Sequence, residues 1–225
     1  WADRNFWAPE VHKYQNKFYM FVSFKSETKH RGTQVLISDN PEGPYRIHGK
    51  RPITPESWEC LDGTFYLSKS GKPYMVFCHE WTQVGDGEIC AIEMTSDLTS
   101  AVGDPMLLFK ASDAEWVKSV TGKPGDYVTD GPFMHRSSGG DLFMLWSADD
   151  ENGYVEALAK SSNGEIDGKW TQVCRLVKRF SGGHGMIFKT KDGSEKLIMH
   201  SPDISLKERP FIFNLTEENG IPKVI

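Results

Sequence analysis

The chain has 225 residues, enough for one large β-rich domain or two small ones. Its 38% hydrophobic and 25% charged residues, with 21 glycines, describe a turn-rich globular protein. The net charge of −5 argues against nucleic-acid binding, which needs a basic face, and no run approaches the ~18 apolar residues of a transmembrane helix. The sequence opens on Trp1-Ala2-Asp3 without an initiating Met. That start reads as a processed or trimmed end, so the missing leader leaves export open.

No helical period is sustained over three turns, and short runs rich in Tyr, Phe, Val, Ile and Met alternate with turn signals instead. A first unit, about 6–50, carries Ala8-Pro9-Glu10-Val11 and then, past the turn Asn16-Lys17, the run Phe18-Tyr19-Met20-Phe21. Strands at 33–38 and 45–47 complete it, split by the turn at 39–44. The second unit, about 58–110, opens on Asp62-Gly63-Thr64-Phe65, turns at Ser70-Gly71-Lys72 and continues through Pro73–Phe77. The third, about 127–178, opens on Asp130-Gly131-Pro132-Phe133. It turns at Gly139-Gly140-Asp141, runs through Leu142–Trp146 and adds strands at 154–159 and 170–173. The fourth, about 182–225, opens on His184-Gly185-Met186-Ile187, turns at Asp192-Gly193 and follows with Leu197–His200.

The four motifs start at positions 8, 62, 130 and 184, at intervals of 54, 68 and 54 residues. Four antiparallel strands per unit at such a period is the signature of a β-propeller. A β-sandwich is the runner-up, but it would not repeat a motif at matched phase. The opening motif of each unit belongs on the innermost strand, where glycine lets backbones crowd the axis. Asp62, Asp130 and His184 are then expected to ring one end of the channel. Cys60, Cys78, Cys90 and Cys174 are too scattered for a disulfide scaffold or a zinc site and read as buried thiols. Cys78 and Cys90 are placed for facing one another across a hairpin.

These segments resemble glycoside hydrolase family 43, the five-bladed propeller enzymes acting on arabinans, xylans and related plant-wall sugars. Phe6-Trp7-Ala8-Pro9-Glu10-Val11 is similar to the family's Trp-Ala-Pro-acid segment opening blade two, and Leu61–Phe65 to the Asp-x-x-x-Phe strand of blade three. Thr129–Phe133 resembles the Glu-Gly-Pro segment of blade four, and Gly183-His184-Gly185 the Gly-His segment of blade five. The resemblance implies an all-β, five-bladed propeller in which 1–225 is one N-terminally incomplete domain. About four blades are present, and a first blade of roughly 60 residues is missing. The family's general base lies on that first blade, so no residue here matches it.

The resemblance further implies inverting hydrolysis of α-L-arabinofuranosyl, β-D-xylosyl or β-D-galactofuranosyl linkages. Asp130 takes the place of the family's general-acid Glu, one methylene shorter, and Asp62 that of the acid that raises the donor's pKa. Glu80, in Phe77-Cys78-His79-Glu80-Trp81, is the rival donor or a substrate contact, against the plainer reading of a solvated loop acid. Trp7 and Trp81 are candidate sugar platforms, and Glu10 and Arg209 candidate substrate contacts. His184 is the candidate metal residue, with calcium the expected ion, held through water because calcium prefers oxygen. An oligosaccharide or polysaccharide is the expected partner, and a secreted or periplasmic site the expected location. The alternative is a propeller that binds carbohydrate without hydrolysing it. A protein-interaction propeller has no need of in-phase acids.

Overall fold

The computed structural model describes residues 1–177 and 181–225; the expected end of the third unit at 178 lies outside them. The described residues form four antiparallel sheets of four strands, each in sequence order from the inside out. The first holds β1 (Arg4–Tyr14), β2 (Lys17–Lys25), β3 (Gly32–Ser38) and β4 (Arg46–His48). The second holds β5 (Cys60–Leu67), β6 (Pro73–His79), β7 (Glu88–Met94) and β8 (Ala101–Lys110). The third holds β9 (Asp130–Arg136), β10 (Leu142–Asp150), β11 (Gly153–Ser161) and β12 (Trp170–Arg175). The fourth holds β13 (Gly183–Lys189), β14 (Glu195–Ser201), β15 (Arg209–Glu218) and β16 (Ile221–Val224). These are propeller blades, and among the described residues there are four of them rather than the expected five.

Tight turns set the register of the inner hairpins. Tyr14 pairs with Lys17 across a two-residue loop, Gln15-Asn16, whose φ angles of 45° and 63° fit the turn that matches strand twist. The turn thus sits one residue earlier than Asn16-Lys17, because it needs two left-handed residues and β2 begins at Lys17.

The core lies between blades. Along β6, Met75 and Phe77 face the cluster shared with the first blade, while Val76 and Cys78 face the one shared with the third. Along β10, Leu142, Met144 and Trp146 point back to the second blade, and Phe143 and Leu145 forward to the fourth. A second strand buried on both faces has no polar alternation, which accounts for the unbroken apolar runs at 73–77 and 142–146.

The register corrects the cysteine expectation. Cys78 pairs with Ile89 and Cys90 with Phe77, a one-residue offset that sends the two thiols to opposite faces of the sheet. They pack in different core clusters. The structure also adds one helical turn, α1 (Trp81–Val84), directly after β6, too short to leave a period in the sequence.

Candidate active site

Each innermost strand breaks its pairing once, at the same place. Trp7 pairs with Ser23 and Glu10 with Phe21; Leu61 with Cys78 and Thr64 with Val76. Likewise Asp130 pairs with Ser147 and Phe133 with Leu145; Gly183 with His200 and Met186 with Ile198. Every break places one extra residue on the inner strand, a β-bulge, and such bulges re-aim side chains. The turned residue is left-handed in all four copies: Ala8 (φ 48°), Asp62 (56°), Gly131 (52°) and His184 (52°). The phase expected from the sequence therefore shifts by one in the third unit. Asp62 and His184 occupy the bulge itself, whereas Asp130 stands one residue before it and Gly131 takes the left-handed place.

Hydrogen bonds from one blade to the next hold the bulges. Asp62 N–H donates to Ser23 Oγ (2.9 Å), and Gly63 N–H to Thr33 Oγ1 (3.2 Å). Two blades on, the pattern returns with other residues. His184 N–H donates to Ser147 Oγ (2.9 Å), and Gly185 N–H to Glu156 Oε2 (2.7 Å). Between them, Gly131 N–H donates to Asp62 Oδ2 (3.1 Å). A Cβ at Gly131 would stand 2.9 Å from His184 Cα, so only glycine lets the third and fourth blades meet here.

The bulges open into a cavity of about 1020 Å³. Asp62 and Asp130 stand side by side, with His184 Nδ1 3.6 Å from Asp62 Oδ2 and the Tyr154 hydroxyl donating to Asp130 Oδ2 (3.2 Å). Asp130 keeps an edge open to the cavity, yet protein surrounds it. That burial, reinforced by the Asp62 charge, pushes its pKa to about 7 against the pull of His184 and Tyr154. Burial also raises Asp62, opposed chiefly by His184 and the Gly131 N–H. Below them, the Glu156 carboxyl is fully buried and pushed to about 8, opposed by the Gly185 and Ser147 hydrogen bonds.

Trp7, Glu10, Asp62, Glu80, Trp81, Asp130, His184 and Arg209, every residue singled out from the sequence, line this one cavity. Their settings differ. Trp7 is 44% exposed, with the Arg31 guanidinium 4.1 Å over its ring. Glu10 accepts from the Thr64 hydroxyl (2.6 Å) and contacts His12, so it is engaged inside the protein. Arg209 is exposed and donates to the Glu208 carbonyl (2.7 Å). Glu80 is not a solvated loop acid: its side chain is 13% exposed, it precedes α1, and Arg31 pairs with it. Burial raises Glu80, with Arg31 pulling the other way.

Sequence reading missed Arg31, Tyr154 and Glu156. Glu156 left a signal, a lone acid inside the apolar run Tyr154–Ala159, and a buried acid is seldom idle. Arg31 and Tyr154 left none, since their partners come from other blades.

Four-stranded blades whose inner bulges gather acids at one cavity define a β-propeller with a carboxylate site. The sequence profile of the glycosyl hydrolases family 43 matches residues 1–219, and the chain belongs to that family. It is similar to an endo-arabinase of Bacteroides thetaiotaomicron, with 41% identity and a TM-score of 0.92 over 98% of this chain and 78% of that one. An endo-1,4-beta-xylanase from the same organism matches with 26% identity and a TM-score of 0.81, over 100% and 77% of the two chains. A Bacteroides ovatus xylosidase/arabinosidase is 30% identical over 76 residues, a stretch that is 32% of this chain and 23% of that protein.

Proposed function

We propose that the protein hydrolyses glycosidic bonds in arabinan- or xylan-type polysaccharide with inversion at the anomeric carbon, and that Asp130 is the proton donor. The observation that carries this reading is the Asp130 carboxyl, open to the cavity and raised to about 7 by burial and by Asp62. An inverting glycosidase needs an acid that is still protonated near neutral pH when the leaving oxygen departs. Asp130 gives its proton to that oxygen while a second carboxylate draws a proton from the attacking water. Asp62 holds the donor's proton in place by its charge, and the Gly131 N–H and His184 keep Asp62 oriented. Trp7 offers an exposed ring on which a sugar can stack, and Glu80, Trp81 and Arg209 offer contacts around it.

Arabinan is the favoured substrate, since the relative with 41% identity is named an endo-arabinase. Furanosyl or pyranosyl preference follows from assays on arabinan, xylan and nitrophenyl α-L-arabinofuranoside, β-D-xyloside and β-D-galactofuranoside. A five-bladed ring is part of the reading: one more sheet between the β1 and β13 edges would close the propeller. So is a secreted or periplasmic site, because a polysaccharide of this size is met outside the cytoplasm. Calcium at His184 would be held through water. Among the described residues His184 joins no group of three close His, Cys, Asp or Glu ligands, and calcium takes six to eight oxygens. Direct chelation does not fit these residues.

One observation favours a second reading, a propeller that binds sugar without cleaving it: the donor position holds Asp130, a methylene shorter than glutamate. Turnover of arabinan or of any nitrophenyl glycoside by the full chain removes that reading. Binding of arabinan without turnover removes the first.

A further inference from the structure

The far end of the fourth blade carries a group of side chains that the cavity does not use. His135 lies near the end of β9, five residues beyond Asp130 and therefore roughly 17 Å along the strand from it. Glu195 opens β14 and Glu217 lies near the end of β15. One ligand atom from each of the three lies within 4.8 Å of the others.

The independent sign is His135. It is 6% exposed, and its Nε2 is buried without a hydrogen-bond partner. That nitrogen points at Glu195, with Oε2 at 3.7 Å, too far for a hydrogen bond. A buried ring nitrogen with no partner is rare in folded proteins. Here it faces two carboxylates across a gap that a cation would fill.

The surrounding charges fit a site with room for one more positive charge. Glu217 is held in place by Ser138, whose N–H donates to Oε1 (2.7 Å) and whose hydroxyl donates to Oε2 (2.5 Å). The Lys189 ammonium stands 3.4 Å from Glu195 Oε1, on the carboxylate oxygen turned away from His135. Burial lowers the pKa of His135, which favours the neutral imidazole that ligates metals.

We infer that His135, Glu195 and Glu217 form a zinc site that clips the third blade to the fourth. One imidazole and two carboxylates is a ligand set suited to zinc, which takes His nitrogen and Asp or Glu oxygen at ~2.0–2.2 Å in tetrahedral geometry. Water completes the fourth position. Closing from 4.8 Å to that geometry asks for side-chain rotation only, and the three ligands come from three different strands. A bound ion therefore ties β9 to β14 and β15. The site is separate from the cavity and takes no part in the proposed hydrolysis, so its failure would leave that reading standing.

The test is calorimetric titration of untagged, chelator-stripped full chain with zinc chloride, paired with thermal melts. One zinc per chain is expected, with the melting temperature raised by about 5 °C or more at free zinc a hundredfold above its Kd. His135→Asn and Glu195→Gln should each weaken binding at least tenfold while their metal-free melts stay cooperative. Calcium chloride should give no heat at this site. Absence of zinc binding, or wild-type affinity in both variants, overturns the assignment. So does zinc binding lost in His184→Ala but kept in His135→Asn, which would put the ion in the cavity.

Discussion

Asp130 is a short carboxyl doing what the resemblance gives to a glutamate, and its surroundings decide whether it can. Burial and Asp62 hold its proton up to about pH 7. The kcat/KM profile should therefore fall above about pH 7 as the donor ionises, and a flat profile from pH 6 to 9 would count against it. The same shift has a stability consequence. A carboxyl with a raised folded pKa binds its proton more tightly when folded. Its ionisation therefore costs nothing below about pH 4, then takes away stability as pH climbs from about 4 to about 7, and levels off above. Asp130→Asn removes that cost, so its melting temperature should gain on wild type across this window. A constant difference from pH 4 to 8 would contradict the shift. Glu156, raised to about 8, is protonated at neutral pH. Gln can accept the same Gly185 and Ser147 hydrogen bonds, so Glu156→Gln should melt within about 1 °C of wild type at pH 6. Glu156→Ala, which strands the Gly185 N–H, should cost about 1–3 kcal/mol in urea denaturation. Equal losses in the two variants would show that the side chain's bulk, not its hydrogen bonding, is what matters.

At the scale of the element, the repeated unit is a bulged strand held by the blade before it. Gly131→Ala puts a side chain at φ 52° and within 2.9 Å of His184 Cα. We expect a loss of about 2 kcal/mol or more, with impaired activity because Asp130 and His184 both move. Stability within 0.5 kcal/mol of wild type, by denaturant melt, would mean the bulge is not rigid. This element also shows what the sequence could tell. Asp62-Gly63 and His184-Gly185 were readable as one repeat because both the residue and its phase recur. Asp130-Gly131 looked in phase but is displaced by one, since a bulge is set by hydrogen bonding between blades and not by the local dipeptide. Arg31 shows the same limit. Its partners Trp7 and Glu80 lie 24 and 49 residues away, and only the packing of the first blade on the second brings them together.

At the scale of the molecule, the blades are joined by three apolar seams and lined on one side by acids. Trp146 is fully buried in the seam between the second and third blades, against Phe109 and Trp116. Trp146→Ala should cost about 3–5 kcal/mol and lower activity only through unfolding. A folded, equally stable variant with lost activity would move the seam into the site. The overall architecture was legible because a period in the fifties is hard to imitate by chance, while the blade count and the exact ligands depend on pairings no linear pattern records. The central claim, that Asp130 donates the proton, is tested most directly by leaving-group dependence. Asp130→Asn and Glu80→Gln are compared on arabinan and on dinitrophenyl α-L-arabinofuranoside, whose leaving group departs without a proton. The account predicts that Asp130→Asn loses about 10²–10⁴ of kcat on arabinan but far less on the dinitrophenyl substrate, while Glu80→Gln shows no such split. The split appearing in Glu80→Gln and not in Asp130→Asn would contradict it.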